Sequence, residues 1–240
     1  MIRALPLLAL SAALVACGSA EPEPAPTPTM TADTGPKTLV AANLSDIPLG
    51  PKIEGPQGPE PQSEIMADDG TMLGTITSYV ACPAPTTEDG DPIPPTFNSV
   101  CDPKAQPEGT VYTFVHRIAL SEGLASEMGE PGAPGTYVFR MLRPAHGFNN
   151  VVGFDAAQAQ AALGEAGEIK VQVEDDSLVW RVVAGDGWTA GETLTLFWQA
   201  TLPPAGPADA YQLRIGDHTA GVTAPFPGEP EKPASEAAAN

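Results

Sequence analysis

Apolar and polar residues alternate at the period of a β-strand through most of the second half of the chain. Ile169, Val171 and Val173 point one way while Lys170 and Gln172 point the other. Leu194, Leu196 and Trp198 alternate with Thr193, Thr195 and Gln199, and Phe197 breaks the pattern. Leu178, Trp180 and Val182 share one face, and Tyr211, Leu213 and Ile215 alternate with Gln212 and Arg214. Tyr137, Phe139 and Met141 mark a further strand, and Leu73 to Ala81 a less regular one. The longest run is Thr110 to Leu120. Tyr112, Phe114, Ile118 and Leu120 line one face, and Val111 and Val115 make the other face apolar too, as in a central strand covered on both sides. One segment has helical chemistry instead. Asp155 is placed as an N-cap, Ala156 to Leu163 are good helix formers, and Gly164 ends the run.

Turn signals separate the strands: Asp68-Asp69-Gly70, Asp175-Asp176-Ser177, Gly185-Asp186-Gly187 and Pro203 to Pro207. About seven to eight short strands at this spacing predict an all-β fold, an antiparallel β-sandwich with one short helix. A barrel is the alternative.

Proline and glycine, 28 and 24 residues, are not spread evenly. Alternating prolines from Glu21 to Pro28 favour extended polyproline II, and a second cluster runs from Pro48 to Pro61. Residues 17–63 are thus expected to be a disordered Pro-rich linker, reaching ~40 Å as a coil or ~140 Å fully extended. Its patch from Leu39 to Leu44 is less polar, and reads as an edge strand or as linker. The sandwich is expected over 64–227, and 228–240 as a disordered polar tail. With 30 acidic against 11 basic residues the net charge is −19, which repels phosphate backbones and excludes nucleic acid as a partner.

The first residues carry an address. Arg3 precedes an apolar run from Ala4 to Ala16, too short for the about 20 residues that span a bilayer, so 1–16 reads as a cleaved export signal. The run ends in Leu14-Val15-Ala16-Cys17, which resembles the lipobox of bacterial lipoproteins. The resemblance covers only the first 18 residues. It implies that Cys17 is acylated, for instance with palmitate, and becomes the first residue of the mature chain. In that family an Asp after the cysteine retains the protein at the inner membrane; Gly18 here implies the outer membrane. The alternative is ordinary cleavage after Ala16 or Ala20, leaving a soluble secreted protein. With Cys17 given to lipid, Cys82 and Cys101 remain, and in an oxidising compartment they are expected to form a disulfide.

Candidate chemistry is sparse. No HExxH, Gly-x-Ser-x-Gly or phosphate-loop motif is present. His116 lies on the apolar face of its strand, as a core histidine would. His146 falls in the loop Arg143 to Asn150, where binding residues on rigid scaffolds concentrate. Glu88, Asp89 and Asp91 offer clustered oxygen ligands for a calcium ion, against the plainer reading of a solvated acidic turn; no other cofactor is expected. Arg117, Arg140, Arg181 and Arg214 sit inside predicted strands, each opposite the most apolar face. They serve either as cross-strand partners of acids and edge protection or, if their strands share a sheet, as a cationic stripe for an anionic ligand. Trp188, beside the Gly185-Gly187 turn, is a candidate exposed platform for a sugar.

These features lead to an expected function: a lipid-anchored envelope protein acting as a non-catalytic binding module for an envelope polymer or protein. Two alternatives stand beside it. One is a hydrolytic lipoprotein using His146 with nearby carboxylates, and the other a passive structural protein of the envelope.

Overall fold

A computed structural model describes residues 35–53, 60, 62–96, 99–124, 137–185 and 187–229. The export signal, Cys17, the polyproline run and all of the predicted tail beyond Glu229 lie outside the described residues.

In chain order the strands are β1 (Lys37–Leu39), β2 (Ala42–Asn43), β3 (Leu49–Lys52), β4 (Gln62–Met66), β5 (Met72–Pro83), β6 (Tyr112–Leu120), β7 (Tyr137–Met141) and β8 (Phe148–Phe154). After helix α1 (Ala156–Leu163) come β9 (Glu168–Glu174), β10 (Ser177–Ala184), β11 (Thr193–Ala200), β12 (Pro204–Ile215) and β13 (His218–Pro227). They form two sheets, the layout of a sandwich. Sheet A has the order β1-β9-β10-β7-β12-β13, and sheet B the order β2-β8-β11-β6-β5-β3, with β4 also on β5. All pairings are antiparallel except β2 on β8, which is parallel. β6 lies between β11 and β5, the central place its double-sided apolar pattern predicts.

The core is the space between the sheets. Phe114 stacks on Trp198 with centroids 4.7 Å apart, and Phe139 on Tyr211 at 5.4 Å. The polar tips are anchored: Trp198 Nε1 donates to the Tyr211 hydroxyl at 3.3 Å, which donates to Pro225 O at 3.0 Å. His116 is wholly buried, beside Tyr211 at 4.5 Å between rings. Its Nδ1 meets Ser78 Oγ at 3.0 Å, but Nε2 has no partner among the described residues, so the core histidine is half satisfied. Burial pushes its pKa down to about 3.

Helix α1 forms where Asp155 predicts it. The Asp155 carboxylate accepts from Gln158 N at 3.0 Å, and the Gly164 N–H closes the other end on Gln160 O. A second cap comes from far along the chain: Asn43 Oδ1 accepts from Ala156 N at 3.1 Å. Eight residues are a marginal helix alone, so these caps and the burial of Ala159, Ala162 and Leu163 hold it.

Two segments differ from their sequence reading. Lys37–Lys52, within the predicted stalk, belongs to the sandwich: β1 pairs with β9 in sheet A, and β2 and β3 pair with β8 and β5 in sheet B. Between them Leu44, Ile47 and Leu49 lie as a strap over the outer face of sheet B, packed on Tyr79, Ala81, Val115 and Phe197. This second apolar layer is why Phe197 breaks its alternation. The other segment, Pro203 to Pro207, reads as a turn but is mostly strand, β12 starting at Pro204. Its prolines lie before Tyr211, where pairing with β7 begins, so their missing N–H groups cost no ladder bond on that side.

Cys82 and Cys101 are paired at disulfide distance, with Cα atoms 5.8 Å apart, as expected. The link stands beside the end of β3, where Cys101 N donates to Lys52 O and Ile53 N to Val80 O, both at 3.0 Å.

Candidate functional site

The register of sheet A decides what the strand arginines can do. Val179 pairs with Arg140, and Arg140 with Gln212. One row along, Arg181 pairs with Val138, and Val138 with Arg214. Side chains opposite one another in a sheet share a face. Since Trp180, Phe139 and Leu213 face the core, Arg140, Arg181 and Arg214 all stand on the outer face, on the adjacent strands β10, β7 and β12. Strands lie ~4.8 Å apart, so Arg181 and Arg214 flank β7 at ~10 Å, with Arg140 between them and one row displaced. Three of the four strand arginines thus share one outer face. Arg117 is on β6, in sheet B, and belongs to a different cluster.

The three arginines differ in electrostatic state. Arg181 Nη2 donates to both Glu174 carboxylate oxygens, at 2.7 and 2.9 Å. Glu174 pairs with Ser177 near the hairpin end, so the Arg181 stem must cross Val179, which is fully buried although it faces outward. Arg140 has no ion-pair partner among the described residues. Its Nε is buried without any hydrogen bond. A guanidinium is always charged, and this Nε–H is a donor left without an acceptor among the described residues. Arg214 completes the face from β12.

Arg117 is held by protein groups. Its Nη1 is 3.2 Å from Glu60 Oε1, and its guanidinium lies 5.0 Å from the centre of the Tyr79 ring. Lys52 also pairs with Glu60 and lies 4.2 Å from the same ring centre. Partial burial and the Arg117 charge lower the Lys52 pKa. The cluster ties β3 to β5 and β6 within sheet B.

Other predicted site residues are not gathered into a site. Trp188 is buried, 5 % exposed, with Nε1 donating to Glu192 O at 3.0 Å and its ring 6.1 Å from Tyr137. It is a core residue and cannot be a sugar platform; the turn beside it folds the indole inward. Glu88, Asp89 and Asp91 stand exposed in a tight turn closed by Thr87 N–Asp91 O at 2.8 Å. Among the described residues no three acidic, histidine or cysteine side chains converge to hold a metal ion, so the calcium reading has no ligand set there. His146 is half-buried in the β7–β8 connection, its backbone N–H bonded to Pro144 O at 2.9 Å. No carboxylate pairs with its ring among the described residues.

The sequence reading did not find a histidine–carboxylate pair elsewhere. His218 Nδ1 lies 2.9 Å from Asp69 Oδ2. The Thr71 backbone N–H, then the Thr71 side chain and His218, hold the Asp69 carboxyl below its usual range. Asp69 lies on the β4–β5 turn and His218 begins β13, so this pair joins sheet B to sheet A at one end of the sandwich. Also missed was a polar relay on sheet B, Asn149–Gln199–Thr113, beside an apolar cleft. Both depend on strand order, which local sequence does not contain.

No family model, curated protein or solved structure matches this chain. The reading of function therefore rests on the chain's own residues.

Proposed function

We propose that the protein is an envelope lipoprotein, held at the outer membrane by lipid on Cys17, whose sandwich is a non-catalytic binding module. Its ligand surface is the outer face of sheet A, and its ligand is an anionic group on an envelope polymer or protein. One observation carries this reading: Arg140, its Nε buried and without an ion-pair or hydrogen-bond partner among the described residues, stands between Arg181 and Arg214 on one sheet face. The chain carries a net charge of −19, so such a local cationic face would select an anion by contact geometry rather than by long-range attraction.

Two measurements test it. Labelled palmitate should enter the chain in cells and be lost in Cys17→Ala. The full chain should bind a carboxylate- or phosphate-bearing polymer, polygalacturonate or polyphosphate, with affinity that falls as salt rises. Arg140→Ala should weaken that binding at least tenfold, and Arg117→Ala should not change it. No binding to either polymer, or equal binding by Arg140→Ala, would overturn the reading. The hydrolytic alternative has one geometric support, the Asp69–His218 pair rather than His146. Turnover of a generic ester, lost in His218→Ala and kept in His146→Ala, would favour it instead.

A further inference from the structure

The outer face of sheet B carries a second feature, independent of the arginine face. Between the strap and the end of the sheet is an open cleft of about 310 Å³, lined by Ile47, Pro48, Pro83, Val111, Thr113 and Gln199, among others. Its size is at the lower end of ligand pockets, and its lining has their usual character, apolar walls with few polar groups. The strap is fixed at its rim, where Ala84 N donates to Pro48 O at 3.3 Å.

The polar groups form a relay whose direction is set by the backbone. Val151 N–H donates to Asn149 Oδ1 at 3.0 Å, so the Asn149 amide nitrogen must point away, to Gln199 Oε1 at 3.1 Å. That orients the Gln199 amide in turn, and its Nε2 donates to Thr113 Oγ1 at 3.0 Å. The Thr113 hydroxyl has thereby accepted one bond, and its own proton has no acceptor among the described residues. Thr113 is 2 % exposed and lines the cleft. A relay of polarised donors thus ends on a buried, unspent O–H beside an apolar space.

We infer that this cleft is a binding site for a small ligand with an apolar body and a neutral carbonyl oxygen, which accepts the Thr113 proton. The carbonyl is neutral because no lysine, arginine or histidine lines the cleft, and burying a carboxylate without a cation is unfavourable. An ammonium head has no lone pair to accept the Thr113 proton and would leave the relay unsatisfied.

The test uses the full chain carrying Cys17→Ser, uniformly labelled with ¹⁵N, and hexanamide as the probe. Hexanamide should shift the amide signals of Val111, Thr113, Val151 and Gln199 saturably. Thr113→Val, which keeps the shape and removes the proton, should weaken binding about five-fold, the effect of one neutral hydrogen bond. Thr113→Ser should bind within about two-fold of the parent, and Ala84→Trp should block the cleft. An unchanged signal pattern elsewhere shows each variant folded. Absence of saturable shifts, equal affinity of Thr113→Val, or tighter binding of hexanoate or hexylamine than of hexanamide would each overturn the inference.

Discussion

The two sheets turn opposite kinds of surface outward. Sheet B is apolar on its outer face as well as its inner one: Tyr79, Val115 and Phe197 lie under Leu44, Ile47 and Leu49. Sheet A is charged on its outer face, and its buried valines, Val138 and Val179, stand in register with arginines. One face is finished by the chain folding back on itself, the other by long cationic side chains. The difference separates stability from recognition. The stretch under the strap has its groups matched within the protein, whereas the face of sheet A retains Arg140 without a partner among the described residues. Sheet B keeps one unmatched group of its own, the Thr113 proton, beyond the end of the strap.

The contrast can be broken at several points. The largest effect is expected at Phe197, fully buried on the outer face of sheet B. Phe197→Ala should cost about 3–5 kcal/mol by urea unfolding, as for any core phenylalanine. A loss below about 1 kcal/mol would mean that the strap is not a second core layer.

Next is the interior that the sheets share. His116 takes a proton at about pH 3 in the folded protein and near 6.5 when unfolded. The unfolded chain therefore binds more protons between these values. The stability this group provides is whole above about pH 6.5 and declines as pH falls toward 3, by at most about 1.4 kcal/mol per unit. From pH 6.5 to 4.5 the loss is about 2–3 kcal/mol beyond that of the carboxylates. His116→Phe should remove this part of the slope whatever its absolute stability, and equal slopes would refute the assignment.

A smaller effect is expected at Gly153, against which β2 packs closely. A Cβ there would stand 1.9 Å from Ala42 O, so β2 must move. Gly153→Ala should cost about 1–3 kcal/mol and speed amide exchange from Asn43 to Leu49, leaving sheet A unchanged. Exchange speeding equally in β9 and β10 would show that the two outer faces are not independent. The smallest effect belongs to the arginine face. Arg140→Ala should change stability by no more than about 0.5 kcal/mol while weakening anion binding at least tenfold. A large destabilisation would make Arg140 a structural residue.

Much of this architecture is readable in local sequence, and the unread parts have a common cause. β6, β9, β10 and β11 follow from period-two patterns, and α1 from Asp155, its helix formers and Gly164. These are properties of neighbours along the chain. The arginines could be placed opposite the apolar faces for the same reason. That three share a sheet while Arg117 does not is a matter of strand order, which alternation does not encode. The strap was obscured by Pro48 and by its short elements, two to four residues each, whose apolar side chains find their partners far along the chain. Trp188 was misread because the glycines beside it signal a turn without saying which way the turn faces.

The order in which the first strands are laid down has a mechanical consequence. β1 is an outer strand of sheet A, and the chain then crosses to β2 and β3 of sheet B. Tension arriving from the N-terminal side of Lys37 would load three residue pairs on β9 first, then two on β8, before reaching β5 and the Cys82–Cys101 link. Those short ladders would yield in sequence, at low force, while the disulfide and the long hairpins behind it hold. The segment from Lys37 to Lys52 would thus behave as a fuse: its release would expose Val115 and Phe197 and leave the arginine face intact on a sandwich still standing.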